Sequence, residues 1–232
     1  MSLLIAERNP KVNSGLLQRG FIMDSSLQLY LPLWHRGLTT SPFISRDKNS
    51  LSCAVAGTTW GTQGRTFGYT HLIDLRVGGV PPAVLNFANG VAWSLEGWFK
   101  HPSTCNGIHN FLTGQDSYVG IVFRYASTTC YKFRSEPGTY YTFLADASGY
   151  DEVWTHLTWV CNGTIITLYI NNLAGIDITP DTTALEMPFL GATVGTGTYG
   201  YEGVIGEVRV YSRVLTTEER QHNRLGTMWR YQ

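Results

Sequence analysis

The feature that most restricts this chain is a succession of short segments rich in Val, Ile, Thr, Tyr, Phe and Trp, each bounded by Gly, Asn, Asp or Pro. Residues of these types favour β-strands, and the bounding residues favour turns. The predicted strands cover residues 27–33, 72–77, 92–100, 118–125, 129–134, 140–144, 155–161, 165–171 and 203–211. The pattern therefore predicts an all-β fold.

One pair of these segments has the form of a β-hairpin. Residues 154–161 and 164–171 are joined by Asn162-Gly163. An Asn-Gly pair suits a type I′ turn, in which both central residues have positive φ. We therefore expect residues 154–171 to fold as a two-stranded antiparallel unit with a tight turn.

A single short helix is predicted near the C-terminus. Thr216 and Glu219 have the spacing of a capping box, in which each side chain accepts a hydrogen bond from the other residue's backbone amide. Gly226 suits the position that follows a helix, so the helix is expected over residues 217–225. Many strands with one short helix, and no internal repeat, indicate a sandwich or a jelly roll.

The N-terminal segment differs from the rest of the chain. Residues 1–23 are polar and show no sustained periodicity, so we interpret them as an arm or linker that precedes one domain over residues 24–232. The apolar run Leu3–Ala6 is shorter than the core of a signal peptide. We therefore expect either no export through the general secretory route or a leader outside these residues, and no segment is apolar enough to span a membrane.

The overall composition excludes several classes of function. The 17 Lys and Arg residues balance the 17 Asp and Glu residues, and charged residues make up 15% of the chain. A neutral chain exerts little attraction on nucleic acid. Because 43% of the residues are hydrophobic and 13% are aromatic, intrinsic disorder is also disfavoured.

Four cysteines, Cys53, Cys105, Cys130 and Cys161, are widely spaced. They form no C-x-x-C motif and no cluster with His at zinc-site spacing. Buried free thiols are the favoured interpretation, while one disulfide bridge remains an alternative whose pairing the sequence does not determine.

Three segments together resemble the laminin-G-like, concanavalin A-like family of jelly-roll domains. They are Ala-Trp-Ser-Leu-Glu-Gly-Trp-Phe-Lys at residues 92–100, Trp-Thr-His-Leu-Thr-Trp at residues 154–159 running on to Leu-Tyr-Ile-Asn-Asn at 168–172, and the run at 201–216 that contains Gly-Glu-Val-Arg-Val-Tyr. Their order and spacing fit the family over most of residues 26–226. The resemblance implies a concanavalin A-like jelly-roll sandwich of two antiparallel sheets with one short C-terminal helix.

Departures from the family pattern disfavour a metal site. The family commonly has Asp where this chain has Gly206, and an acidic loop where this chain has Gly-Tyr-Thr-His at residues 68–71. Because Ca²⁺ binds six to eight oxygen ligands that usually include several carboxylates, bound Ca²⁺ is disfavoured and stays an open alternative, and we expect no other cofactor.

Some proteins of this fold are glycoside hydrolases, which need two carboxylates facing one cleft. No strand here carries two carboxylates on one face at the required spacing, and no G-x-S-x-G motif is present. His156 lies within a strand beside Trp154, where a packed histidine is the favoured interpretation. We therefore predict no catalytic residues and no enzymatic activity.

Recognition remains as the predicted function. Aromatic faces stack on the apolar side of a pyranose, and polar groups bind its hydroxyls. The candidate ligand-binding residues are Tyr199, Tyr201, Tyr140, Tyr141, Tyr118 and Asp116, which lie in loop-rich clusters. The tryptophans of the strand patterns, at positions 93, 98, 154 and 159, are expected in the core.

The sequence thus predicts a non-catalytic module that binds a glycan or another surface ligand and is displayed on a phage or virus particle. The first alternative is a purely structural virion protein, a capsid decoration or tail protein that assembles with itself or with capsid or tail subunits through residues 1–23. A glycoside hydrolase of the same fold is the second alternative.

Overall fold

The computed structural model describes residues 20–103, 109–113, 119–125, 128–136, 139–191 and 200–232. Its eighteen described strands are β1 Leu27–Pro32, β2 Phe43–Ile44, β3 Ser52–Ala56, β4 Thr59–Gly61, β5 Gly64–Phe67, β6 Leu72–Asp74, β7 Asn86–Phe87, β8 Trp93–Lys100, β9 His109–Thr113, β10 Gly120–Tyr125, β11 Thr128–Glu136, β12 Thr139–Leu144, β13 Thr155–Cys161, β14 Ile166–Ile170, β15 Ile176–Ile178, β16 Leu185–Glu186, β17 Phe189–Leu190 and β18 Gly203–Tyr211. The helix α1 spans Thr217–Thr227, and short 3₁₀ turns cover Arg36–Leu38, Ala83–Leu85, Ser148–Tyr150 and Met228–Arg230. The all-β prediction is confirmed.

An eight-stranded sheet forms one layer. Seven of its strands follow the order β15-β14-β13-β8-β18-β5-β4, and the eighth, β1, pairs with β18. β18 is long enough to accept two neighbours on one side, because β5 pairs with its start and β1 pairs with its end. The tryptophan-rich strands β8 and β13 pair along their full lengths at the centre of this sheet. Their central position explains why residues 93–99 and 155–161 are almost entirely buried.

The opposite layer is divided among smaller antiparallel sheets. Their orders are β12-β11-β10-β9, β17-β6-β3-β2 and β16-β7. Several of these strands have only two residues, so the hydrogen-bonded ladder of this second antiparallel layer is interrupted. One core nevertheless joins the layers, since Trp93 and Trp159 of the large sheet pack in the same cluster as Phe111 and Phe133 of the smaller one.

The outer face of the large sheet is covered by both ends of the described chain. α1 begins at the predicted capping box, in which Thr216 Oγ1 accepts from the Glu219 amide and Glu219 accepts from the Thr216 amide. The prediction that Gly226 ends the helix is wrong, because α1 continues to Thr227. A side chain at Gly226 would collide with the carbonyl oxygen of Gly20, so the glycine permits the N-terminal segment to cross the helix.

Residues 20–23, which the sequence analysis placed in the arm, pack on the domain. Phe21 and Ile22 are buried in a cluster with Tyr30, Tyr211 and Leu215. The Ile22 amide donates to Asn223 Oδ1 at 2.7 Å, and the Tyr211 hydroxyl donates to the Ile22 carbonyl at 3.0 Å. These contacts join the segment to α1 and to the end of β18.

The predicted hairpin is present, but its turn differs from the prediction. β13 and β14 pair antiparallel, with Cys161 opposite Ile166. Residues 162–165 therefore form a four-residue loop, in which Gly163 has positive φ and Asn162 does not. The Asn162 carboxamide oxygen accepts from the amides of Thr164 and Ile165, and these bonds favour the longer loop.

Two of the cysteines, Cys53 and Cys161, are buried free thiols, as the favoured interpretation predicted. Cys130 is also buried, and Cys105 lies outside the described residues. Within the ranges that the structure describes, no helix combines the length and the apolar character needed to cross a membrane.

Candidate functional site

Only two of the tyrosines predicted to bind a ligand lie at the described surface. Tyr140 and Tyr141 are half-buried residues of β12, at the edge of the four-stranded sheet. They point to opposite faces, since Tyr141 packs against the core and its hydroxyl accepts from the Asp181 amide at 3.2 Å. The ring of Tyr140 lies near two cations, Arg134 at 5.3 Å and Lys132 at 5.7 Å from its centroid.

The other predicted site residues do not join this surface. Tyr201 is fully buried, and its ring packs against Phe99 and Phe123 while its hydroxyl donates to the Lys100 carbonyl at 3.1 Å. Its ring is therefore not available to stack on a sugar in this structure, because the start of β18 turns it into the core. Tyr118, Asp116 and Tyr199 lie outside the described residues.

The four strand tryptophans divide as well. Trp93, Trp98 and Trp159 are buried, as predicted for core residues. Trp154 is half-buried, and its ring lies 4.7 Å from the ring of Tyr231 in the C-terminal segment. None of these four tryptophans lines the pockets described below.

A buried ionic cluster lies between the large sheet and the segments that cover it. Arg209 of β18 forms ion pairs with two carboxylates: its Nε lies 2.7 Å from Glu96 Oε1 and its Nη2 lies 3.3 Å from Glu207 Oε1, and all three side chains are excluded from solvent. Asn223 of α1 donates to Glu96 at 2.7 Å, and Phe21 covers the Arg209 guanidinium at 4.7 Å. Cross-strand pairing places these charges together, because Glu96 lies directly opposite Arg209.

Burial controls ionisation in this cluster. Desolvation raises the pKa of Glu96 to about 7, although Arg209 and Asn223 oppose the shift. Desolvation also holds the pKa of His156 well below its ordinary value of 6.5, and the cations Arg209 and Arg224 act in the same direction. His156 is thus a neutral packed residue, 5.0 Å from the ring of Trp98, as the sequence favoured.

A concavity at the described surface surrounds Trp34, and we call it the Trp34 groove. It consists of two adjoining pockets of about 260 and 420 Å³ that share Trp34 and His35. The first is lined by Met23, Tyr30, Pro32, Trp34, His35, Arg46 and Arg230, and the second by Trp34, His35, Arg36, Trp60 and Thr62. Trp34 therefore forms a wall between them.

Trp34 is held in place by the buried cluster beneath it. Its indole Nε1 donates to Glu207 Oε2 at 3.1 Å, and the Arg230 guanidinium lies 4.2 Å from its ring centroid. His35 Nδ1 accepts from the Gly37 amide at 2.9 Å, so the proton of the neutral imidazole is on Nε2. The groove thus combines half-buried indole rings with hydrogen-bond donors.

Sequence reasoning did not find these residues. Trp34-His35-Arg36 follow directly after the alternating strand pattern of β1, and this exposed end was a signal that could have been used. Trp60 and Arg46 lie in a Ser-, Thr- and Gly-rich stretch, and Arg230 is at the C-terminus. Only the folded chain brings these four parts of the sequence together.

A sequence model described as the concanavalin A-like lectin/glucanases superfamily matches residues 78–219, more than half of the chain. The chain belongs to this superfamily. Membership agrees with the predicted resemblance and with the antiparallel layers of the fold. A search of curated protein sequences found no match to this chain.

Several solved structures have a similar fold. Domain 4 of AbnA, a GH43 extracellular arabinanase from Geobacillus stearothermophilus solved with arabinotriose, has a TM-score of 0.56 at 19% identity, covering 84% of this chain and 97% of that domain. The ligand binding domain of botulinum neurotoxin serotype D, in complex with N-acetylneuraminic acid, has a TM-score of 0.61 at 13% identity, covering 88% of this chain and 51% of that chain. Trypanosoma rangeli sialidase in complex with sialic acid has a TM-score of 0.61 at 14% identity, covering 89% of this chain and 33% of that chain.

At these identities the likeness establishes the fold alone. The chain spans nearly all of the arabinanase domain, about half of the neurotoxin chain and one third of the sialidase chain. Among the described residues, no group of three or more His, Cys, Asp or Glu side chains is arranged to hold a metal ion.

The structure explains one departure from the superfamily pattern. A side chain at Gly206 would collide with the ring of Tyr231, which is buried over this position and stacks on Trp98 at 4.8 Å. An Asp at Gly206 would therefore displace the C-terminal segment. The position that carries an acidic group in the family pattern is occupied here by an aromatic ring from the end of the chain.

Proposed function

We propose that this chain is a non-catalytic glycan-recognition module that binds sugar in the Trp34 groove. The observation that carries the proposal is the pair of adjoining pockets lined by Trp34 and Trp60 together with donors from His35 and the arginines. Concave sites with aromatic walls and a few converging polar groups are typical of ligand binding.

Sugar chemistry suits this arrangement. One face of a pyranose carries C–H groups that pack on an indole ring, and its hydroxyls accept hydrogen bonds from nitrogen donors. Both indoles are half-buried, so each can contribute contact area without rearrangement of the fold. Trp34 is held by its bond to Glu207, and a pre-ordered ring loses little conformational freedom on binding.

The burial of the two carboxylates at the centre of the sheet supports a binding function rather than hydrolysis. Glycoside hydrolysis requires an acid and a base or nucleophile in contact with the sugar. Glu96 and Glu207 are fully buried, and both are engaged by Arg209. Glu207 accepts from the Trp34 indole from below, and neither carboxylate lines the groove.

The comparisons support the same proposal. The arabinanase domain was solved with arabinotriose and the neurotoxin domain with N-acetylneuraminic acid. Display on a phage or virus particle, and assembly through residues 1–23, stay predictions of the sequence.

A glycan array with the full chain tests the proposal. We expect binding to a subset of glycans, and a loss of at least about tenfold in affinity for Trp60→Ala, because aromatic anchors dominate such contacts. Tyr140→Ala is the matched control, since it removes an aromatic of the surface predicted from sequence, and it should bind as the wild type does. Thermal melts of each variant establish that it is folded.

The outcomes separate the two surfaces and the two functions. Loss of binding in Tyr140→Ala, with Trp60→Ala unaffected, would move the site to β12. Absence of any bound glycan would contradict the function itself. Release of new reducing ends from a polysaccharide panel would show that the chain is a hydrolase.

A further inference from the structure

We infer that the ligand of the Trp34 groove is an acidic glycan, in which a carboxylate or sulfate group is bound by the arginines of the groove. This inference rests on the proposed glycan-recognition function and specifies its ligand class. The described lining of the two pockets includes three arginines and one histidine, and it includes neither Asp nor Glu. The whole chain has a net charge of zero, so this local excess of positive charge is a departure from the average composition.

Two of the arginines are exposed and have no carboxylate partner in the part of the chain that the structure describes. Arg36 and Arg46 form no ion pair with any described residue. Arg46 extends toward the turn at Gly37, since a side chain at Gly37 would lie 2.8 Å from Arg46 Nη2. Arg46 lines the first pocket and Arg36 the second, so each half of the groove carries its own guanidinium.

Arg230 is pre-positioned between aromatic rings. Its guanidinium lies 4.2 Å from the centroid of Trp34 and 4.5 Å from that of Trp229. Its Nε and Nη1 are buried and have no hydrogen-bond partner among the described residues, where its closest carboxylate contact is to Glu207 at 3.8 Å. Glu207 is shared with Arg209 and with the Trp34 indole, so it neutralises Arg230 only in part.

The acidic side chains near the groove are directed elsewhere. Asp47, the residue after Arg46, accepts from the Tyr30 amide through one oxygen and from the Asn49 amide through the other, each at 2.8 Å. Asp24 is paired with Arg213 at 2.7 Å. Neither carboxylate lines the two pockets of the groove, although both line a neighbouring pocket to which Arg46 also belongs.

The arrangement favours an acidic sugar over a simple anion. A guanidinium binds carboxylate and sulfate oxygens through paired hydrogen bonds, while the indole rings of Trp34 and Trp60 offer surface for a sugar ring. The Nε2–H of His35, shared by both pockets, is a further donor between the arginines. One charged group on a sugar ring uses both kinds of contact at once.

A glycan array built from matched pairs tests the inference. Each pair contains a glycan with a uronic, sialic or sulfated residue and the same glycan with that group esterified or removed. We expect the wild type to bind acidic members at least about tenfold more tightly, and Arg36→Gln/Arg46→Gln to lose that preference, because charged hydrogen bonds contribute this much. Higher salt should weaken the acidic interaction.

Lys132→Gln is the matched control, since it removes one positive charge beside Tyr140 and leaves the groove intact. Equal melting temperatures would show that all variants are folded. Equal affinity of the wild type for acidic and neutral members would overturn the inference and leave glycan recognition in place. Acidic binding lost in Lys132→Gln but kept in the double variant would assign the charge preference to β12, and binding to no member would overturn glycan recognition itself.

Discussion

His156 is an ionisable residue that the fold keeps neutral. It is fully buried in β13, its Nε2 lies 3.8 Å from Glu96 Oε2, and neither ring nitrogen has a hydrogen-bond partner among the described residues. Desolvation lowers its pKa well below 6.5. In the unfolded chain the same imidazole takes up a proton as the pH falls through 6.5.

The consequence is a loss of stability in mild acid. The contribution of His156 is fully present above pH 6.5 and decreases below it by about 1.4 kcal/mol per pH unit, because the unfolded state then binds the extra proton. Denaturation in urea at a series of pH values should therefore show a smaller loss of unfolding free energy below pH 6.5 in His156→Gln than in the wild type.

The ionisation of Glu96 changes the free energy of unfolding with pH in the opposite direction, and Glu96 is present in both the wild type and His156→Gln. Its raised pKa, about 7 against an ordinary 4.5, gives stability that is present below pH 4.5 and is lost as the pH rises toward 7. The contribution of His156 is therefore the difference in unfolding free energy between the wild type and His156→Gln at each pH. Parallel pH profiles for the two proteins would contradict the assignment of His156 as a buried neutral group.

β18 shows how one irregular position changes what a strand presents. A simple alternation along residues 204–211 puts Ile205 on the same face as Glu207 and Arg209. The structure has a register shift between Ile205 and Glu207, so Ile205 packs in the core while the two charged residues face the opposite side. Such a bulge depends on the neighbouring strands and on Tyr231, and none of these is visible in the local sequence.

Gly206→Ala tests this element. The added methyl group would collide with the ring of Tyr231, and overpacking of this kind costs about 1–3 kcal/mol. We expect a lower melting temperature and, because Arg230 belongs to the same C-terminal segment, weaker glycan binding in the Trp34 groove. Gly149→Ala is the matched control, since nothing lies within 4 Å of the added atom, and it should melt like the wild type. Equal melting temperatures of the two variants would show that the packing of the Tyr231 ring does not require a glycine at position 206.

The elements were largely predictable, and their assembly was not. Alternation and turn residues identified β8, β13, β14 and β18, and the capping box located the start of α1, because each signal is local. The Trp34 groove combines residues from four separate parts of the sequence, including Arg230 beside Trp34. Tyr201, in contrast, has the composition of a surface loop around it but is oriented inward by β18.

At the scale of the whole molecule, an overall neutral chain separates its charges into two environments. Glu96, Glu207 and Arg209 contact one another inside, beneath Phe21 and α1. Arg36 and Arg46 remain at the surface on the same side of the large sheet, next to Trp34, whose indole contacts the buried cluster. Net charge alone therefore excludes strong attraction to a polyanion, yet it does not describe the local environment of the groove.

The boundary of the domain is a property of the whole molecule, and it can be tested by truncation. A chain that begins at Gly20 keeps Phe21 over Arg209 and the two hydrogen bonds of Ile22, whereas a chain that begins at Asp24 loses them. Removing a buried aromatic side chain costs about 3–5 kcal/mol, and here it also opens the ionic cluster to water. We expect the chain from Asp24 to unfold at markedly lower urea concentration than the chain from Gly20.

Light scattering on the same two chains and on the full chain tests the hypothesis of assembly through residues 1–23. If the full chain is an oligomer and the chain from Gly20 is a monomer that still binds glycan, assembly and recognition are separate properties of the molecule. Equal urea midpoints for the two truncated chains would contradict the structural role of Phe21 and Ile22. A lower midpoint for the chain from Asp24, with loss of glycan binding, would show that the N-terminal segment also supports the groove, which Met23 helps to line.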